Sequence, residues 1–368
     1  KITNTRSGRP IVWHDYSAPT GTVHETFYEE AEWIAKDYIR HLQDVDVCIM
    51  HDILYQGWHL VHNVAVRQAQ KSLPKVRFLA FTHSVPVNHP QKMEWPFSAR
   101  FTPMPNTRFV YPTYSGIDAL AGQYDVPQGS CAVVYNSLPL LETLSQDVQQ
   151  VASSTDLLNA DILVIYPGRL TTGKRFEKVA ALAGATQRKT QQRAKVIFCD
   201  FPCADIPSQI YKRMIQTEGM KFGLEKEDLS FTSDLGYKQG FPRSGVFELF
   251  GLSNLFICPS YSESFGLTVL EAASRGNFLV LNEAVPALKE LGDSLGAYFL
   301  RWDGRNFGYD THEKYIPSEQ AYYEEHGEII VNLMREDHSL RAKTRVRTKY
   351  NGTWICRNQL MPLLTGSI

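Results

Sequence analysis

Long apolar runs are missing from this 368-residue chain, and none approaches the roughly 18–20 residues that cross a bilayer. No secretory signal is visible either. Net charge is small, formally −1, so no global field draws the chain to nucleic acid or an anionic membrane. Cysteine is sparse: six residues, mostly inside apolar runs such as VCIMH and LFICPS. That pattern predicts buried, reduced thiols in a cytoplasmic protein and excludes a disulfide framework. Cys199 and Cys203 lack a second pair or a neighbouring histidine, so they do not read as a zinc site. The N-x-T sequence at Asn351 carries no weight without a secretory context.

What the chain has is an ordinary globular balance, 43% hydrophobic and 21% charged, and length enough for two cores. One local exception is the basic group Arg341, Lys343, Arg345, Arg347 and Lys349. Its plainer reading is a solvated helical face, and its sharper one a grip on phosphates.

Short β-rich runs alternate with helical patterns, which predicts βαβ units around parallel sheets. Strands are expected at 10–13, 45–50, 76–81, 108–110 and 131–135, with helices at 25–41 and 60–71 between them. Phe27, Ala31, Ile34 and Tyr38 mark the apolar stripe of the first helix. The polar stretch 142–159 reads as a linker. Beyond it come strands at 162–166, 194–199, 229–232, 255–259 and 278–281, with a helix from about 176. An apolar helix is expected at 353–364, packing back on the first domain.

The most specific segment is PSYSESFGLTVLEAASRG at 259–276, where Glu263 and Glu271 are separated by seven residues. An apolar strand leads into it, and Phe265-Gly266-Leu267 opens a helix. Helix N-termini offer free N–H groups to phosphates, and carboxylates accept hydrogen bonds from sugar hydroxyls. Gly266 lets a ligand approach the backbone closely. As isolated features the two glutamates are surface residues of an ordinary helix. A second motif, YPGRLTTGK at 166–174, ends a strand in a glycine turn and sets Arg169 and Lys174 five residues apart. Two cations aimed into a crevice can neutralise a diphosphate, although a solvated basic loop is the plainer reading of that motif alone. His83 follows the strand ending at Phe81, and His51 occupies the equivalent place after Met50. A histidine at a strand end is more often structural than catalytic.

Together these residues resemble the retaining glycosyltransferases of family 4. The likeness spans the histidine-ending strands, Val134-Tyr135-Asn136, Gly168-Arg169-Leu170 through Lys174, and Glu263 to Glu271. It implies an α/β protein of the GT-B fold, with two Rossmann-like domains facing across a cleft: 1–150 on the acceptor side, 151–345 binding a nucleotide-sugar donor, and 346–368 as a returning helix. The resemblance assigns Arg169 and Lys174 to the donor diphosphate. Phe265, Gly266, Leu267 and Thr268 would contact phosphate and sugar, Glu263 the sugar hydroxyls and Glu271 the ribose diol. His83 would approach the donor sugar, and the base would lie near Thr232.

The implied reaction is transfer of a sugar from a UDP- or GDP-type donor to a hydroxyl acceptor, with retention and without cofactor or metal. The D-x-D at Asp44 and Asp46 precedes a strand rather than leaving one, and reads as solvated surface. Alternatives are an enzyme glycosylating nucleic acid, a non-catalytic nucleotide-sugar-binding protein, and a GT-B epimerase or phosphorylase. The chain departs from the family at Cys199-Asp200-Phe201-Pro202, in place of a glycine-rich turn, and at Arg175, in place of glycine. The family's opening strand, glycine-rich loop and helix are not found, so an N-terminal segment is expected to be absent. Peripheral membrane or nucleic-acid contact has no support from net charge.

Overall fold

The computed structural model describes residues 14–18, 21–87, 93–302, 304–306, 309–311 and 319–366. The expected strand at 10–13 lies outside them. The chain divides into two units, Lys1–Asn136 with Ile355–Ile368, and Ser137–Trp354. Each is an α/β layer structure around a parallel sheet.

In the first unit, α1 (Phe27–Leu42) and α2 (Leu60–Gln70) pack on each other and share one hydrophobic core with a four-stranded sheet. Its strands β1 (Val47–His51), β2 (Arg77–Phe81), β3 (Thr107–Tyr111) and β4 (Cys131–Val133) lie in sequence order, and α3 (Ile117–Tyr124) joins the last two. The stripe of α1 is buried as its spacing demands, at Phe27, Ala31, Ile34, Ala35 and Tyr38. β2 reads apolar almost throughout because helices cover parallel sheets on both faces.

The second unit starts with α4 (Gln146–Thr155), and its sheet follows. Its parallel strands are β5 (Ile162–Arg169), β6 (Ala194–Phe201), β7 (Leu229–Phe231), β8 (Leu255–Cys258), β9 (Phe278–Asn282) and β10 (Tyr298–Leu300). Between them run α5 (Phe176–Thr190), α6 (Ser208–Phe222), α7 (Arg243–Leu252), α8 (Leu267–Ser274) and α9 (Pro286–Leu295). Helices α10 (Glu319–Glu336) and α11 (His338–Lys349) follow, and α10 packs on α5. Strand order is β10-β9-β8-β5-β6-β7. The chain therefore winds outward from β5 to β7, then returns to the other side of β5 with β8. The junction of β5 and β8 is a topological switch point, where loops leaving the strands diverge and open a crevice.

Three expectations need correction. The 142–159 stretch is no linker: α4 buries Val148, Val151 and Ala152, and Ser145 donates from N and Oγ to Glu248 Oε2, both at 2.8 Å. Its polar composition hid a helical stripe, and the units divide after Asn136 rather than near residue 150. The 346–368 segment is also split. Up to Trp354 it belongs to the second unit, and from Ile355 to the first. There the Arg77 guanidinium donates to the carbonyls of Leu363 and Leu364, and Tyr135 N donates to Gln359 Oε1 at 2.9 Å.

The basic group, finally, is not one solvated face. Arg347 is 2% exposed and donates to the carbonyls of Leu157, Leu158 and Ala160. Lys343 Nζ donates to the carbonyls of Phe250 and Arg275, at 3.1 and 2.7 Å. Those carbonyls close the C-terminal ends of α7 and α8, where a cation meets the negative end of the helix dipole. Among the described residues no helix is long and apolar enough to cross a membrane.

Candidate active site

At the carboxyl end of β5 the backbone runs on past Tyr166, so Gly168 and Arg169 still pair with Asp200 and Phe201 of β6. Arg169 is exposed, and no hydrogen bond or ion pair holds its guanidinium among the described residues. Residues 170–175 then fold tightly. Thr172–Lys174 form a 3₁₀ turn, and Arg175, at φ +54°, makes the left-handed step into α5.

Across the switch point, the loop after β8 is stitched to this turn. Tyr261 N donates to the Gly173 carbonyl at 2.8 Å, and the Tyr166 hydroxyl donates to the Lys174 carbonyl at 2.7 Å. Asn282, fully buried at the end of β9, donates to the Ser260 carbonyl at 3.1 Å. The stitching delivers one charged pair. Lys174 Nζ and Glu263 Oε1 form an ion pair that joins the two loops, with the Glu263 side chain only 13% exposed. The sequence put both residues in one crevice but gave no sign that they touch.

Gly266 ends this loop at φ +93° and opens α8. A Cβ at that position would sit 3.2 Å from Leu288 Cδ2 and 3.3 Å from Val269 Cγ2. Both conformation and space therefore select glycine. Gly266→Ala is expected to cost about 1–2 kcal/mol of stability, read as a lower thermal midpoint. The Leu267 and Thr268 amides belong to the first helical turn, where N–H groups lack intrahelical acceptors. Phe265 and Leu267 side chains are exposed.

Glu271 lies in the second turn of α8, its side chain 14% exposed, and accepts from Arg243 Nη2 of α7 at 2.7 Å. Arg243 itself is largely exposed, so the pair is open to water on one side. Thr232 is fully buried, and its hydroxyl has no partner among the described residues. Beside it stands a network that sequence reading missed. Ser233 donates from N and Oγ to Asp200 at 3.0 and 2.6 Å, and Lys212 Nζ reaches Ser233 Oγ and Asp234 Oδ1, both at 2.6 Å. Asp200 is fully buried. Its one sequence signal was a carboxylate at the end of the apolar run VIFCD, the same place where the expected glycine-rich turn is absent.

In the first unit, His83 and His51 occupy the carboxyl ends of β2 and β1. His51 Nδ1 and His83 Nε2 are 2.8 Å apart, and their rings stack with centroids at 5.1 Å. His83 N donates to Asp52 Oδ1 at 2.8 Å. Partial burial, with the His83 ring beside it, holds the His51 imidazolium below its ordinary pKa, and Asp52 opposes that shift. The sequence singled out each histidine separately; only strand pairing in register, His51 with Phe81, joins them. Asp44 and Asp46 are exposed ahead of β1.

Residues 150–293 match the family model described as Glycosyl transferases group 1. That span contains Arg169, Lys174, Thr232, Glu263, Gly266 and Glu271. The matched span lies within the second unit, and the switch-point loops fall inside it. No curated protein matches the chain in sequence. Among solved structures, it is similar to a glycosyltransferase from Rickettsia africae ESF-5, at 11% identity over 94% of this chain and 83% of that one, TM-score 0.37. It is also similar to a UDP-forming alpha,alpha-trehalose-phosphate synthase from Burkholderia xenovorans, at 15% identity over 93% and 77%, TM-score 0.39. A third is Anabaena HepE in complex with UDP, at 14% identity over 91% and 82%, TM-score 0.37.

Proposed function

We propose that the chain is a retaining glycosyltransferase of the GT-B, family 4 type. It moves a sugar from a nucleoside-diphosphate donor, of the UDP or GDP kind, to a hydroxyl acceptor. The observation that carries this reading is the Lys174–Glu263 ion pair across the β5–β8 switch point. It puts a cation and a hydroxyl-accepting carboxylate side by side, within a segment matching glycosyl transferases.

In this reading Arg169 and Lys174 hold the diphosphate, assisted by amides at the start of α8. Breaking the bond between the sugar's anomeric carbon and the phosphate oxygen builds negative charge on that oxygen, and fixed cations and N–H groups stabilise it. The acceptor oxygen bonds to the anomeric carbon from the same face. Its proton passes to the leaving phosphate. These groups act without a divalent metal. Glu263 exchanges Lys174 for sugar hydroxyls as the phosphate takes the lysine, and Glu271 holds the ribose diol. His83 is held by His51 and Asp52 within the first unit. A glycosidase scheme would make the glutamates acid and nucleophile, but each stands beside a cation, which favours its carboxylate form, suited to accepting hydroxyl hydrogen bonds next to a phosphate site.

The test is a panel of nucleotide sugars scored by thermal stabilisation, since a ligand bound only by the folded state raises its stability. Stabilisation by a UDP or GDP sugar, followed by transfer with the anomeric configuration kept, is the expected result. Turnover of the nucleotide sugar with no acceptor present would make the protein an epimerase instead. Binding without any turnover would favour a non-catalytic binding protein. Glu271→Ala is expected to weaken nucleoside-diphosphate affinity by about tenfold or more, the loss of one to two hydrogen bonds to charge. Calorimetric affinity equal to wild type would remove the ribose role.

A further inference from the structure

A cavity of the second unit lies away from the donor loops, at the opposite end of the same sheet. Its volume is about 580 Å³, the size of a small-molecule site. Asp161 and Asn254 line it, and they immediately precede β5 and β8. The cavity therefore opens at the amino ends of strands whose carboxyl ends carry Lys174 and Glu263. The eight residues of β5 separate the two by roughly 25 Å.

Four cations surround it. Arg341, Arg345 and Lys349 recur every fourth residue along α11 and form one stripe, and Arg335 adds a guanidinium from the last turn of α10. Asp161 is the carboxylate among the lining residues. Like charges four apart on a helix repel, so the stripe is arranged at a cost to the folded chain. Lys343 and Arg347, the other members of the basic group, are engaged by main-chain carbonyls. The helix carrying the stripe is fixed: Asn254 Nδ2 donates to Thr344 Oγ1 at 2.8 Å and to the Asp161 carbonyl at 2.7 Å. Val331, Met334 and Ala342 supply apolar lining.

We infer that this cavity is a second ligand site, taking a small multiply charged anion such as a diphosphate or phosphorylated metabolite through Arg335, Arg341, Arg345 and Lys349. Guanidinium groups pair phosphate oxygens bidentately. From Arg341 to Lys349 the stripe rises about 12 Å, so its long side chains have to lean toward one ligand, and two linked phosphates offer them more oxygens to share than one monoanion does. The apolar residues cover a carbon skeleton. A cavity of this volume favours a small molecule over a nucleic-acid backbone, which would need a continuous basic track.

The experiment is calorimetric titration of the full chain with inorganic pyrophosphate at fixed ionic strength. Three proteins are compared: wild type, the Arg341→Gln/Arg345→Gln variant, and the Arg169→Ala/Lys174→Ala variant. The expected result is a binding phase that the Gln variant loses at least tenfold and the Ala variant keeps. Both replaced arginines of the Gln variant are exposed, so its thermal midpoint and nucleoside-diphosphate binding should match wild type. Should α11 be disturbed, Arg335→Gln on α10 reads the same loss independently. Equal pyrophosphate binding by wild type and the Gln variant would overturn the site, as would a loss confined to the Ala variant. So would a 20-base-pair duplex whose salt-dependent binding is lost in the Gln variant while pyrophosphate binding persists. Because pyrophosphate binding here needs no catalysis, the site can fail while the transferase reading stands, and the reverse.

Discussion

Lys174→Ala is expected to reduce glycosyl transfer by about 10²–10³-fold, the usual loss when one preorganised donor to a developing oxyanion is removed. The size follows from position. Lys174 ends a turn locked by two hydrogen bonds, from Tyr166 to its own carbonyl and from Tyr261 to Gly173. Its ammonium is therefore placed before any ligand arrives, and little reorganisation is needed when charge develops. The substitution also leaves Glu263, mostly buried, without its counter-ion. That carboxylate would then repel the incoming diphosphate, so donor binding and kcat should fall together. Lys174→Ala/Glu263→Gln separates the effects: donor affinity should partly return, whereas kcat should not. The fold should survive, because no core side chain is touched, and a retained cooperative thermal transition checks this, its midpoint lowered by the unpaired Glu263 carboxylate. Wild-type transfer by Lys174→Ala would sink the diphosphate assignment.

The second large effect concerns stability. Arg347→Ala is expected to destabilise the second unit by about 3 kcal/mol, the range for breaking a buried polar network. In a unit of this size that is a drop of about 6–12 °C in thermal midpoint. Two losses add up: a large, almost wholly buried side chain leaves a cavity, and the carbonyls of Leu157, Leu158 and Ala160 lose their donor. Those carbonyls belong to the turn that feeds β5, the strand ending in Arg169. Arg347→Met fills most of the volume and should recover part of the loss, leaving the hydrogen-bonding share. A midpoint for Arg347→Ala within 1–2 °C of wild type would mean that Arg347 only fills space, because removing a network donor costs more than that.

Much of the sheet architecture was legible because it depends on local pattern. The run ILVIY at 162–166 can only be a strand buried on both faces, and the stripe from Phe27 to Tyr38 only a helix on a core. The helix over 146–155 was not legible, because three apolar residues among polar ones resemble a linker until they meet a partner surface. The same limit applied to charge. Arg347 and Lys343 looked like their exposed neighbours, since bonding to carbonyls 68 to 190 positions away leaves no mark on adjacent residues.

The sequence by itself determined which groups follow the strands β5 and β8: the Arg169 and Lys174 cations, the Glu263 and Glu271 carboxylates, and a glycine where α8 must start. Those follow from motif spacing and backbone conformation, which are local. Only the tertiary structure decided which groups meet. Strand order brought β5 beside β8 and so joined Lys174 to Glu263, α7 brought Arg243 to Glu271, and parallel pairing set His51 against His83. Such contacts depend on crossover topology and register, which no stretch of neighbouring residues encodes alone.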